Sequence, residues 1–233
     1  MCSAGWSRLS KNLKSVRFLA GFFMLFSPIC GWDASPVDNK GLVSVTSIEE
    51  QLKKTSGMAK KRFLAWEKLI VQYRKSSTPE KLTVTNDFFN QFTYINDDSF
   101  KGATDYWKTP QEFVNDGGGD CEDFSIAKYF TLLAMDVPIE ALRITYVKSI
   151  PLNQAHMVLT YYPSPEAEPL VLDNLNAKIL PASTRKDLIP VYSFNGEGLW
   201  LAKQRGHDNP VGDSSRLGKW RSVLQRMIKG NQQ

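Results

Sequence analysis

Cys121 is the side chain of this 233-residue sequence best placed to form a bond with a substrate. It follows Gly117-Gly118-Gly119-Asp120 and precedes Glu122-Asp123 and a long apolar run. The other two cysteines, Cys2 and Cys30, sit in or beside an N-terminal segment with the pattern of an export signal. Removal of that segment leaves one thiol, which is either inert filling or a reactive group. A free thiol has a pKa of about 8.5 and is mostly protonated at pH 7. At the first position of a helix it would gain from the partial positive charge of unpaired N–H groups. Those N–H groups also suit an oxyanion formed during acyl transfer. The glycines would let a substrate backbone come close. Position alone weighs this reading evenly against a small buried hydrophobe.

A thiol nucleophile needs a base, and the chain has two histidines, His156 and His207. His207 lies in a charged tail. His156 lies in Ala155–Tyr162, a β-rich run, and a base that must hold a fixed geometry belongs on a rigid element. Asp173 closes the run Leu170-Val171-Leu172-Asp173. If the Pro163–Pro169 turn joins two antiparallel strands, Asp173 and His156 are direct or diagonal neighbours, roughly 5 to 8 Å apart. Asp173 would then orient the imidazole as third member of a triad, with Asn174 as the substitute. A strand histidine satisfied by a carbonyl remains the alternative for His156 taken alone.

Asp120, Glu122 and Asp123 flank the thiol, with Asp116 nearby, and negative charge disfavours a thiolate. Asp120 and Asp123 have the spacing of a capping box, which explains two of them without a metal. A cation bound by carboxylate oxygens would offset the repulsion, and calcium suits all-oxygen ligands better than zinc.

The elements that must hold these groups suggest an α+β fold: helices first, one buried helix bearing the nucleophile, then a mostly antiparallel sheet packed on it. Residues 48–75 have helical apolar spacing, Pro79 interrupts, and Leu82–Phe92 reads as a second helix capped by Thr85 or Asn86. Thr109-Pro110 with Glu112 starts a short helix. Cys121–Met135 is apolar on nearly every side, as a core helix is, with Asp120 as N-cap. Leu142–Lys148, Ala155–Tyr162, Leu170–Asp173 and Leu188–Phe194 read as strands. Arg216–Lys229 is an amphipathic helix with Leu217, Trp220, Leu224, Met227 and Ile228 on one side.

Residues 1–31 combine basic positions with about a dozen apolar residues, the pattern of a signal peptide. The run is short for a spanning helix, which takes about 20 residues; an uncleaved anchor is the alternative. Residues 32–47 read as a linker, 48–202 as the working domain and 203–233 as a basic tail. The tail's seven Lys and Arg against two Asp account for the whole net charge of +5, so the body is near neutral. No basic patch interleaved with aromatics points to nucleic acid.

Three runs, Gly119–Tyr129, Ala155–Leu159 and Leu172–Leu175, together resemble the bacterial transglutaminase-like cysteine proteinases, in particular their periplasmic LapG type. Asn86–Asn90, Asp105–Trp107, Thr109-Pro110, Pro181–Ser183 and Pro190–Asn195 agree as well, so the resemblance spans roughly residues 60–200. It implies a papain/transglutaminase-like fold and a Cys–His–Asp protease carried by Cys121, His156 and Asp173. It implies calcium dependence, with Asp120 and Glu122 matching the family's calcium motif and Asp123 a weaker candidate. The implied substrate is the N-terminal region of a large surface adhesin, cut near small residues to release cells from a biofilm. The implied regulator is an inner-membrane cyclic di-GMP receptor. A transglutaminase or amidase on the same fold shares the thioester chemistry, and a non-catalytic binding module is the reading from another class. The oxyanion donor is either the Trp107 indole or the backbone N–H of Cys121.

Overall fold

In the computed structural model, residues 41–96, 106–201 and 210–231 are described. The signal segment, most of the 32–47 stretch and His207 lie outside them. No helix among the described residues is long and apolar enough to cross a membrane. Helices α1 (Val45–Lys54), α2 (Gly57–Tyr73) and α3 (Thr78–Phe89) come first. A parallel pair of two-residue strands follows, β1 (Thr93–Tyr94) with β2 (Gly118–Gly119), and α4 (Pro110–Asp116) lies between them in sequence. The nucleophile-bearing helix is α5 (Cys121–Ala134). Next come β3 (Leu142–Ser149), β4 (Gln154–Tyr161), β5 (Leu170–Leu172), β6 (Leu180–Pro181), β7 (Leu188–Phe194) and β8 (Leu199–Leu201), and the last helix is α6 (Gly218–Gly230). β3 to β8 form one antiparallel sheet in the order β6-β5-β4-β3-β7-β8.

Apolar residues from Phe124 to Met135 of α5, together with Leu142, Ile144, Met157, Leu159, Leu172 and Phe194 of the sheet, belong to one buried cluster. α5 is therefore covered on all sides, as its sequence requires. Alternation along the strands sends Val147, Val158 and Val171 into a smaller cluster of their own.

Several expectations need correction. The 48–75 stretch is two helices, broken at Thr55 and Ser56, where the backbone is extended. The folded part starts before residue 48: Leu42 and Val43 are buried, and Ser44 caps α1 reciprocally with Ser47. Pro79 does not interrupt a helix but sits in the first turn of α3, where its missing N–H has no helical partner to lose. Thr85 and Asn86 are therefore buried mid-helix residues rather than caps. Thr109 and Glu112 do form the expected capping box of α4. In α6 the expected face does pack on the core, with Trp220 and Met227 buried and Leu217, Leu224 and Ile228 partly buried against it; Val223 joins them, and Trp220 stacks on Phe130.

The glycines before Cys121 serve the protein's own chain rather than an incoming substrate. Gly117 ends α4 in the left-handed region at φ 84°. A Cβ on Gly118 would lie 2.0 Å from the Thr93 carbonyl oxygen, and one on Gly119 would lie 2.2 Å from Asp123 Oδ2. Both are buried, and their smallness lets β1 and the cap of α5 close on the segment that presents Cys121.

Candidate functional site

Asp120 caps α5 as expected: its side chain accepts the Asp123 N–H while the Asp123 carboxylate accepts the Asp120 N–H. Asp123 also accepts the Lys108 N–H at 2.6 Å through Oδ1, and Lys108 Nζ donates to the Gly118 carbonyl at 3.0 Å and pairs with Asp116 at 3.3 Å. The stretch leading into α4 is thereby fastened to the stretch leading into α5. Cys121 stands at the first helical position, partly buried, and is a free thiol.

The thiol donates to Glu122 Oε2 at 2.7 Å. Its pKa is pushed far up, first by burial, then by the charge and hydrogen bond of Glu122 and by Asp120; a backbone hydrogen bond from Met157 opposes the rise. The acids expected to oppose a thiolate do so, adding to the larger effect of burial. The Met157 contact sets the thiol against β4 at the residue next to His156.

His156 is buried, and its Nε2 donates to Asp173 Oδ1 at 2.8 Å. Asp173 lies one residue past the Leu159–Leu172 pair of β4 and β5. Continuing that register sets it opposite Val158, so it meets His156 as a diagonal neighbour on the same face. Engagement of Nε2 leaves Nδ1 as the nitrogen able to take a proton from a thiol. Asn174, the substitute, does not make this bond; its buried Oδ1 has no partner.

Asp173 Oδ1 also accepts the Leu175 N–H at 3.0 Å, and Oδ2 accepts from Arg185 Nη2 at 2.7 Å. Burial alone would raise the Asp173 pKa; the His156, Leu175 and Arg185 contacts outweigh it and bring it down to about 2. The carbonyl of Asp173 accepts from Asn90 Nδ2 at 2.9 Å, and the Ala177 carbonyl accepts from Asn86 Nδ2 at 2.9 Å. Lys128, buried in α5, donates to Asn86 Oδ1 at 2.8 Å. Burial lowers its pKa to about 7 against the pull of Asp173 and Asp87.

The supporting residues Arg185, Asn90, Asn86 and Lys128 were not found from sequence. Lys128 carries a signal, as the one charge of α5 beyond its first turn. Arg185, in an irregular segment, carried none. Trp107 is buried with its ring stacked on Phe194, and Lys219 Nζ lies 5.9 Å from that ring. Its surroundings are those of a core aromatic. Tyr146 and Tyr192 stack at 5.0 Å, and the charge of Glu122 reaches Tyr192.

The profile of the bacterial transglutaminase-like cysteine proteinases (BTLCP) matches residues 65–206. Among solved structures, Legionella pneumophila LapG is 54% identical with a TM-score of 0.73, over 79% of this chain and 98% of that one. Its EGTA-treated form is 55% identical over the same shares, again with a TM-score of 0.73. Its calcium-bound form is 54% identical with a TM-score of 0.72, over 79% and 99%. Comparison with curated proteins gives no match.

Proposed function

Because this chain belongs to the bacterial transglutaminase-like cysteine proteinases, we propose that it is a calcium-dependent periplasmic endopeptidase with Cys121 as nucleophile, His156 as base and Asp173 as the orienting acid. The observation that carries this is the His156–Asp173 bond at 2.8 Å, made beside the β4 residue that touches the Cys121 thiol. Asp173 holds Nε2, so Nδ1 takes the thiol proton as sulfur attacks the scissile carbonyl carbon. The backbone N–H of Cys121 then faces the oxyanion. His156 returns the proton to the leaving amine. Water, deprotonated by the same nitrogen, then cleaves the thioester and frees the thiol.

Calcium enters through the LapG resemblance, since Legionella LapG has been crystallised calcium-bound. The donor chemistry fits: Asp120 and Glu122 offer carboxylate oxygens, and their charges add to burial in keeping the thiol protonated. Asp123 fits less well, because both its oxygens accept backbone N–H groups. Among the described residues no group of three or more His, Cys, Asp and Glu is disposed to hold a metal. Asp120 and Glu122 thus supply only part of the six to eight oxygens calcium takes. Bound there, calcium would offset the negative charge around Cys121.

The substrate in this reading is the N-terminal region of a large surface adhesin, whose cutting releases cells, under an inner-membrane cyclic di-GMP receptor. The test incubates the mature protein with an N-terminal adhesin fragment, with and without EGTA, and maps the cut. Cleavage should stop in EGTA, return with calcium and be absent in Cys121→Ala. Full activity in excess chelator removes Asp120 and Glu122 as ligands. Incorporation of a labelled amine without chain cleavage replaces the endopeptidase reading with acyl transfer.

A further inference from the structure

Asp173 is held by more than its imidazole. While Oδ1 serves His156 and the Leu175 N–H, Oδ2 takes Arg185 Nη2 at 2.7 Å, with the Arg185 side chain 4% exposed and that of Asp173 at 0%. The guanidinium is itself fixed from the other side. Its Nε donates to Asp187 Oδ1 at 3.0 Å and its Nη2 to Asp187 Oδ2 at 2.8 Å. The Arg185 backbone closes the turn after Ala182–Thr184, donating to the Ala182 carbonyl at 3.1 Å. The Asp187 carbonyl accepts the Ile150 N–H at 2.8 Å, which ties this segment to the turn after β3. Arg185 is thus a short, braced strut ending on the acid of the proposed triad.

A buried ion pair of this kind gives little net stability, because desolvation consumes most of the Coulombic gain, and apolar replacements often do as well. Its effect here is directional. A guanidinium is charged at every working pH, so Asp173 stays ionised whether His156 is neutral or protonated. With Oδ2 engaged, the carboxylate has one rotamer, and Oδ1 faces the imidazole. We propose that Arg185 is a positioning residue of the hydrolytic site: through Asp173 it fixes the His156 tautomer that keeps the proton on Nε2 and leaves Nδ1 open to the thiol. This rests on the Cys121–His156–Asp173 reading, and Arg185 itself does not touch substrate.

The experiment pairs kinetics with a measurement that needs no substrate. Arg185→Ala, Arg185→Lys and Asp187→Asn are compared with the parent by kcat and KM on the adhesin fragment, and by nitrogen-15 shifts of the His156 ring. In Arg185→Ala, kcat should fall on the order of 10²-fold, the size that misplacing a catalytic group by about 1 Å produces, with KM changed less than about threefold. The His156 signals should pass from one tautomer to a mixture. Added guanidinium ion should restore part of both, and Arg185→Lys should fall between, as a single-point donor in place of a fork. A purely structural strut gives a smaller active fraction, titratable with a thiol label, at unchanged kcat and tautomer; that result overturns the proposal. If Arg185→Ala does not fold, Arg185→Lys and Asp187→Asn decide, and parental kcat and tautomer in both refute it. Should the parent cut no adhesin fragment while the tautomer responds to Arg185, the substrate reading falls and this one stands.

Discussion

Lys128 gives the sharpest stability test. It lies two turns into α5 from Cys121, is 1% exposed, and has Asn86 Oδ1 as its hydrogen-bond partner at 2.8 Å. Burial lowers its pKa from 10.5 to about 7, with Asp173 and Asp87 resisting. A shift of that size corresponds to about 5 kcal/mol against the folded state at low pH, at about 1.4 kcal/mol per pKa unit. Below pH 7 both folded and unfolded chains carry the proton, and the whole penalty is present. Between pH 7 and about 10.5 the unfolded lysine keeps its proton while the folded one has lost it, so stability rises with pH and the penalty fades. Lys128→Met removes the penalty but leaves Asn86 Oδ1 without its donor, which costs about 1–3 kcal/mol. The variant should therefore be more stable than the parent by roughly 2–4 kcal/mol at pH 6. The gap should close, and then reverse, toward pH 10. Urea unfolding of both proteins at pH 6, 8 and 10 measures it, and the difference cancels every other titrating group. A gap that stays constant across that range refutes the burial argument.

Two further outcomes follow from the same geometry. Asp173 has a pKa lowered from 3.8 to about 2, so its pairing contributes about 2 kcal/mol above pH 4 that disappears as pH falls toward 2. Asp173→Asn should be less stable than the parent at pH 6 in urea unfolding, by a margin that shrinks on acidification; a margin independent of pH contradicts the pairing. Gly119→Ala sets a Cβ against Asp123 and should disrupt the cap of α5, lowering stability by about 1–2 kcal/mol and kcat/KM with it. Gly218→Ala, whose Cβ meets nothing within 4 Å, is the control, and equal melting shifts in the two variants would show that the close approach has no consequence.

What could be read in the sequence was local or strictly periodic. The Thr109/Glu112 and Asp120/Asp123 caps are written at fixed spacing, and both form. Alternation exposed the strands, and the Pro163–Pro169 turn was enough to bring Asp173 to His156. Three errors share a cause, which is that chain punctuation has more than one meaning. Pro79 reads as a stop and is a start; the apolar spacing carries no sign of the break at Thr55 and Ser56; Gly118 and Gly119 read as room for a substrate, and that room is filled by Thr93 and Asp123. Arg185 was out of reach because an irregular segment carries no period from which a contact can be inferred.

The tail shows what an amphipathic pattern can tell. The family profile ends at residue 206, and beyond it the spacing of apolar residues reads as a packing helix despite the basic composition. In the fold, Trp220 is fully buried against Tyr129, Phe130 and Phe194, all of the central core. Arg226 donates to the Trp107 carbonyl and to Glu112, and its guanidinium lies 4.5 Å from the Tyr106 ring centroid. Trp107 directly precedes Lys108, whose N–H is held by Asp123 of the α5 cap. A contact made by α6 thus reaches the turn presenting Cys121 through two consecutive residues. Part of the tail's positive charge is engaged inside the protein rather than offered to a membrane or an acidic partner. Helix α6 is therefore a wall of the proteinase domain, and removing an indole of that size from the core leaves a large cavity.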